Sequence, residues 1–77
     1  MAIRVKFFAS LREALPNAVD EVAAEGLETV SDVWARATEA REMPAHVLCS
    51  VNLEHRSAND PVDDGDEVAF FPPVTGG

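Results

Sequence analysis

The sequence contains few of the groups that catalysis or nucleic-acid binding would need. It has one cysteine, no tyrosine, and six lysine and arginine residues against 14 aspartate and glutamate residues, which leaves a formal charge of −8. Because like charges repel and few cations could displace counterions, this composition predicts that neither nucleic acid nor an anionic membrane is a partner. A single cysteine cannot form an internal disulfide, and its free thiol favours a cytoplasmic location.

The chain is also short, with 77 residues. A chain of this length forms one domain, and its small core has little spare volume to enclose a ligand. Arg4 and Lys6 lie where a signal peptide would need an apolar run. No glycine-rich loop precedes a predicted helix, so nothing in the sequence would cradle the phosphates of ATP. We therefore predict that the chain is not an enzyme on its own and holds no bound cofactor.

Alternating apolar residues and helical spacing predict the secondary structure. The predicted elements, in chain order, are a strand at Ala2–Phe8, a short helix at Ala9–Leu15, a strand at Val19–Ala24, a helix at Val30–Arg41, a strand at Val47–Leu53, a short segment at His55–Ser57 and a strand at Glu67–Phe71. Two strands that flank a crossover helix, with a strand pair beyond, favour one mixed sheet of four to five strands on one main helix. The predicted fold class is therefore α+β, a β-grasp domain spanning residues 1–71.

The longer predicted helix has a start signal and a stop signal. Thr29 is placed to cap its first turn, and the Asp32 side chain can accept a hydrogen bond from the backbone amide of Thr29. Pro44 prevents the helix from continuing. The apolar residues at helical spacing are Val30, Val33, Trp34, Ala37 and Ala40. This face should pack in the core, so Trp34 is interpreted as a core residue rather than a ligand contact.

The predicted central strand places Val47, Cys49, Val51 and Leu53 on one apolar side. For Cys49, core packing is favoured over a nucleophilic role, because a reactive thiol needs exposure and a nearby cation. The spacing of Cys49 from the two histidines, His46 and His55, fits no zinc-ligand pattern.

The acidic residues between Asp60 and Glu67 resemble a calcium loop only superficially. They lack the ligand spacing of such a loop and its closing glutamate, so a solvated turn is favoured. Gly65 can adopt the positive φ that this turn needs. We predict no metal site in the chain.

The last six residues, Pro72–Gly77, contain no ionisable side chain. Two consecutive prolines lack amide hydrogens, so the sheet cannot continue through them, and they favour an extended arm that projects from the domain. At ~3.1 Å per residue such an arm reaches roughly 19 Å. Gly76 and Gly77 have no side chains, so the arm could enter a narrow channel and present its terminal carboxylate there. A frayed terminus is the alternative, but it seldom combines these features.

Two aromatic residues are expected on the sheet face opposite the core. Strand alternation places Phe8 with Arg4 and Lys6, and Phe71 with Glu67 and Ala69. Because the two strands should be neighbours, Phe8 and Phe71 would form an apolar patch at the base of the arm, which is suited to a partner. The alternative is that one or both rings fold back over the edge of the helix.

Several stretches of the chain resemble one known family. Residues Asp64–Gly77, which read DGDEVAFFPPVTGG, strongly resemble the C-terminus of the small, sulfur-carrying subunits of molybdopterin synthase, a family of ubiquitin-like proteins. Val5–Glu13 resembles the start of that family, and Val51-Asn52 resembles its central strand. The ending that begins at Phe70 is the specific part, whereas residues 16–46 are generic.

The resemblance implies a β-grasp fold and a role as a sulfur carrier. It implies that an ATP-dependent enzyme of the ubiquitin-activating type adenylates the carboxylate of Gly77, and that a sulfur donor system then converts it to a thiocarboxylate. The arm would enter the active site of the large synthase subunit, within a heterotetramer, and two such sulfurs would form the dithiolene of molybdopterin from a cyclic pyranopterin monophosphate. ATP would be used by the activating partner only.

The same resemblance assigns site residues. Gly76 and Gly77 match the positions that undergo the chemistry, whereas His55 stands where an apolar contact is more usual. The implied partner-binding residues are Phe8, Arg12, Phe71, Pro72, Pro73, Val74 and Thr75.

Two other functions stay open. One is a sulfur carrier for thiazole or cysteine synthesis, although the proline pair is atypical of thiazole-pathway carriers. The other is a protein modifier that is joined through Gly77 to lysines of its targets. For each of these functions the net charge of −8 predicts a basic partner surface and salt-sensitive association.

Overall fold

The computed structural model describes residues 2–39, 43 and 46–72. The elements are β1 (Ala2–Phe7), α1 (Ser10–Ala14), β2 (Glu21–Ala23), α2 (Val30–Ala37), β3 (Leu48–Val51), β4 (Glu54–Arg56) and β5 (Glu67–Phe71). The strands form one sheet in the order β2-β1-β5-β3-β4. The central pair β1 and β5 is parallel, and the other pairs are antiparallel. This mixed five-stranded sheet with one main helix confirms the predicted β-grasp class.

The core lies between α2 and one face of the sheet. Alternation along β1 and β5 directs Val5, Phe7, Val68 and Phe70 towards the helix, and all four are buried. Trp34 of α2 is also buried, as the spacing predicted, and packs edge-on against Phe7 and Phe70 at centroid distances of 5.6 and 4.9 Å. Such pairs add to the free energy of burial, so this cluster fixes the helix against the middle of the sheet.

The predicted start of α2 is confirmed by a capping box. The backbone amides of Glu28 and Thr29 each donate to Asp32 Oδ2 at 3.0 Å, and the amide of Asp32 donates to Thr29 Oγ1 at 3.3 Å. The bond from Glu28 has the largest effect on the pKa of Asp32, and the bond from Thr29 has the next largest. Together they hold this pKa below its ordinary value of 3.8. The carboxylate therefore stabilises the native state above that value, and the contribution is lost as the pH falls through the lower pKa of the folded protein.

We expect Asp32→Asn to lower the free energy of unfolding at neutral pH by about 0.5 kcal/mol, a small value because solvent still reaches and screens this half-buried helix cap. The difference from wild type should shrink as the pH falls below 3.8, where the native carboxylate becomes protonated. Urea denaturation of both proteins across this pH range measures the difference in their free energies of unfolding. A difference independent of pH would contradict the charged capping box.

The predicted end of α2 at Arg41 is wrong. The helix ends at Ala37, where both the amide and the hydroxyl of Thr38 donate to Trp34 O, at 2.9 and 2.7 Å. Glu39 then has a φ of 60°, which is a left-handed conformation that ends helices. The residue in this conformation is usually glycine. The predicted positions Ala40, Arg41 and Pro44 lie outside the described residues.

The predicted central strand at Val47–Leu53 is also too long. β3 ends at Val51, and Asn52 and Leu53, with φ of 51° and 72°, form a two-residue hairpin turn into β4. Because the chain reverses there, Leu53 does not continue the inward alternation and is 88% exposed. The side chain of Asn52 stabilises the turn with two hydrogen bonds. Its Nδ2 donates to Asp66 Oδ1 at 2.9 Å, and its Oδ1 accepts from the amide of Glu67 at 3.0 Å.

The remaining predictions agree with the structure within a few residues. β5 has the predicted bounds, β1 and α1 are shorter than predicted at one or both ends, and β2 covers the middle of Val19–Ala24. The predicted turn at Asp63–Asp66 is present, with a φ of 89° at Gly65. No helix in the described part of the chain is both long and apolar enough to span a bilayer.

Candidate functional site

The end of the sheet at which β5 leaves the domain carries an apolar patch, formed by Phe8, Leu48, His55 and Phe71. β1 and β5 run parallel in the register Phe7 to Phe70, and the amide of Phe8 donates to Phe70 O at 3.1 Å, so Phe8 follows β1 next to Phe71. Phe71 in turn pairs with Leu48 across β3. Alternation directs these side chains away from α2, which confirms the neighbouring strands that the sequence predicted.

The two aromatic residues of the patch differ in exposure. Phe8 is 48% exposed and Leu48 is 40% exposed, whereas Phe71 is half-buried. His55 of β4 is the reason, because its ring packs edge-on against Phe71 with centroids 5.8 Å apart. His55 therefore belongs to the patch and packs beside Phe71. Sequence reasoning had left its role open.

An open groove of about 620 Å³ lies next to Phe8, on the side of β1 away from β5. Its lining includes three of the six lysine and arginine residues of the chain, Arg4, Lys6 and Arg12, together with the carboxylates Asp20 and Glu21. Lys6 Nζ also lies 3.7 Å from Glu67 Oε1 on the sheet face. Cations and carboxylates are therefore mixed beside Phe8, in a chain that is strongly acidic as a whole.

The structure brings together some of the predicted site residues. Phe8, Arg12 and Phe71 lie around the same end of the sheet, and Pro72 follows β5 without extending it. The other predicted positions, Pro73, Val74, Thr75, Gly76 and Gly77, lie outside the described residues. Sequence reasoning missed Leu48 beside Phe71 and the cations of the groove beside Phe8, because no local motif encodes the strand register that places them there.

Cys49 lies in the core, as predicted. Its side chain is buried, and its Sγ donates to Arg56 O at 3.0 Å. Burial raises the pKa of the Cys49 thiol, and Asp60 adds to the effect, so the reactive thiolate is disfavoured. His46 and His55 are exposed, and the described residues contain no cluster of three side chains able to hold a metal ion.

We expect Cys49 to resist alkylation by iodoacetamide in the native protein. Adding denaturant should accelerate the reaction ~100-fold or more, because the thiol reacts only after the structure opens. Since the chain has one cysteine, total thiol modification measures the rate without background. Equal rates in the native and unfolded protein would show an exposed, reactive thiol instead.

Comparison with known proteins agrees with this architecture. Residues 5–77 match the sequence profile of the ThiS family. The molybdopterin synthase sulfur carrier subunit of Escherichia coli (strain K12) is 43% identical over 84 aligned positions, which cover 97% of this chain and 99% of that protein.

Two solved structures share the fold. The crystal structure of SAMP1 from Haloferax volcanii, a small archaeal modifier protein, superposes with a TM-score of 0.79 at 28% identity and covers 100% of both chains. The complex of subunits 1 and 2 of molybdopterin-converting factor from Helicobacter pylori 26695 contains a chain with a TM-score of 0.59 at 23% identity, again covering 100% of both chains. At that identity the second likeness supports the β-grasp fold alone.

Proposed function

The chain belongs to the ThiS family, and from this premise we propose that it is the sulfur carrier subunit of a molybdopterin synthase. The observation that carries the proposal is the 43% identity, over nearly the full length of both chains, to a protein of that name. The glycine pair at the C-terminus and the apolar patch at the end of β5 support it, because a carrier needs an arm and a docking surface at its base.

The proposed chemistry takes place at Gly77. A carboxylate is a poor acceptor of nucleophiles, so an activating enzyme joins it to AMP: a carboxylate oxygen attacks the α-phosphate of ATP and pyrophosphate leaves. A sulfur donor then attacks the acyl carbon, and AMP leaves with the electron pair of the broken C–O bond. If the donor is a persulfide, this attack gives an acyl disulfide, and a second thiol then cleaves its S–S bond, forming a disulfide with the donor. The thiocarboxylate released is a nucleophile that can pass its sulfur to a cyclic pyranopterin monophosphate.

The arm is proposed to run from Pro72 to Gly77. Phe71 ends β5 and Pro72 cannot donate a backbone hydrogen bond, so the sheet has no means of extending into the arm. Gly76 and Gly77 would let the backbone pass through a channel too narrow for side chains. On this account the large subunit supplies the catalytic groups, and the chain itself acts as a substrate that carries one sulfur atom.

The apolar patch is proposed to dock on the large subunit. Phe8 and Phe71 would bury against an apolar partner surface, while Arg12 at the rim of the groove would meet a carboxylate. The Escherichia coli relative is by its name one subunit of a molybdopterin synthase, which supports a partner of this kind. The guanidinium groups of Arg4 and Arg12 in the groove suggest acidic groups on the partner opposite them.

Reconstitution tests the proposal. The chain is combined with an adenylating enzyme, ATP, a sulfur donor, a large synthase subunit and the pterin precursor, and dithiolene product is measured with co-elution of the two subunits. Product that depends on this chain is expected. Activation of the chain without product, when a family sulfur carrier with its own large subunit gives product, would reject the molybdopterin role.

A modifier is the second candidate, because SAMP1 at 28% identity has the modifier name and the higher TM-score. In that case the acyl adenylate of Gly77 would react with lysine amines instead of sulfur. Denaturing gels of the activated chain with lysine-rich target proteins separate the two candidates. Thiol-resistant conjugates would favour the modifier, and a thiocarboxylate without conjugates would favour the carrier.

A further inference from the structure

The turn between β1 and α1 holds Ala9 in an unusual backbone conformation. Its φ and ψ are 53° and −130°. The amide of Leu11 donates to Phe8 O at 3.1 Å, so residues 8–11 form a β-turn with Ala9 as its first central residue. These angles are those of a type II′ turn, in which this position is normally glycine because a Cβ is sterically disfavoured.

The conformation of Ala9 is fixed from both sides. Before it, the amide of Phe8 donates to Phe70 O at 3.1 Å and ties the chain to β5. After it, the side chain of Leu11 is buried in the core. The surroundings therefore impose the turn, and glycine at position 9 would satisfy the same geometry without the steric cost of a side chain.

The methyl group of Ala9 contributes little to the fold. Ala9 is exposed and is not a member of the buried cluster that the described residues form. It lies instead in the lining of the groove, between Phe8 and Arg12. A side chain that strains the backbone, packs outside the core and faces a candidate docking surface is typical of a position held for function rather than stability.

We propose that the Ala9 methyl group is a contact for the large subunit, and that the strained turn is kept because glycine would leave a gap in the surface beside Phe8. The inference rests on the proposed function, since it assumes that the groove and the apolar patch dock together. The partner surface it fits is apolar opposite Phe8 and Ala9 and acidic opposite Arg12. Ala9 acts by contact with the partner and has no part in the chemistry at Gly77.

Three variants test this contact: Ala9→Gly, Ala9→Ser and Leu53→Gly. Leu53 provides the matched control, because it also has a positive φ but lies beside Asn52, which bonds to the start of β5 at the opposite end of the sheet. Affinity for the large subunit is measured by titration calorimetry, and stability by thermal unfolding.

Ala9→Gly should raise the melting temperature by about 4 °C as the strain is relieved. It should weaken binding about fourfold, the value for one buried methyl group. Ala9→Ser keeps Cβ but buries a hydroxyl against the apolar partner surface, so it should bind at least as weakly as Ala9→Gly. Leu53→Gly should raise the melting temperature and leave affinity unchanged. Hydrogen exchange at the Leu11 amide should be no faster in Ala9→Gly than in wild type.

Wild-type affinity in Ala9→Gly, or wild-type affinity in Ala9→Ser, would overturn the proposed contact. So would faster exchange at Leu11, because the weaker binding would then come from a loosened turn. A lower melting temperature in Ala9→Gly would overturn the premise of strain. A wild-type chain that does not bind the large subunit at all would instead reject the proposed function, and the contact with it.

Discussion

Removal of Gly77 is expected to abolish sulfur transfer while the domain stays folded. The reacting carboxylate would then belong to Gly76, one residue short of its place in the active sites of both the activating enzyme and the large subunit. A displacement of the reacting atom by one residue is about 3.5 Å, much more than proximity effects tolerate. We expect product formation to fall at least about 1,000-fold, measured in the reconstituted reaction.

Two controls make this result specific to the position of the carboxylate. A variant with one residue added after Gly77 should be equally inactive, because it keeps every native residue but moves the carboxylate. Both variants should melt at the wild-type temperature, since β5 ends at Phe71 and neither change alters a residue of the described core. Sulfur transfer by the extended variant would contradict the proposal that Gly77 carries the sulfur.

Phe8→Ala is expected to weaken the complex with the large subunit by about 30-fold or more, as for an aromatic hot spot at the centre of an interface. Its ring is 48% exposed, so its removal should lower the melting temperature by only a few degrees. Phe71→Ala should change both quantities, because Phe71 is half-buried and packs against His55. Calorimetry with the large subunit and thermal unfolding measure the two effects.

Leu53→Ala is the matched control for surface hydrophobicity. Leu53 is 88% exposed, more than Phe8, but lies at the other end of the sheet in the β3–β4 turn. Its truncation should leave binding unchanged. Equal losses of affinity in Phe8→Ala and Leu53→Ala would indicate nonspecific association. A sharp fall in the melting temperature of Phe8→Ala with no loss of binding would show that Phe8 belongs to the core.

Features with a local chemical cause could be predicted from the sequence. Thr29 and Asp32 encode the start of α2, and strand alternation between the Gly65 turn and Pro72 encodes β5. The ends that were wrong lack such a signal. Glu39 and Leu53 have positive φ, although neither residue type favours it. The cause is therefore tertiary: Trp34 anchors α2, and β4 pairs back on β3.

The candidate site shows the same division. Alternation predicted that Phe8 and Phe71 point away from the core, and the parallel register of β1 and β5 places them together. Net charge did not predict the mixed charges beside Phe8, because Arg4 and Arg12 come from different elements and meet only in the folded chain. The positive φ of Ala9 could not be predicted either, because alanine carries no sequence signal for this conformation.

The mass of the intact chain after incubation with the activating enzyme, ATP and a sulfur donor shows whether Gly77 accepts sulfur. Exchange of oxygen for sulfur should add about 16 Da, and fragmentation should place it on Gly77. Placement matters because oxidation of Met1, Met43 or Cys49 adds nearly the same mass. A gain on Gly77 that requires ATP is the predicted result. An unmodified Gly77, in an assay that thiocarboxylates a family sulfur carrier, would contradict the account.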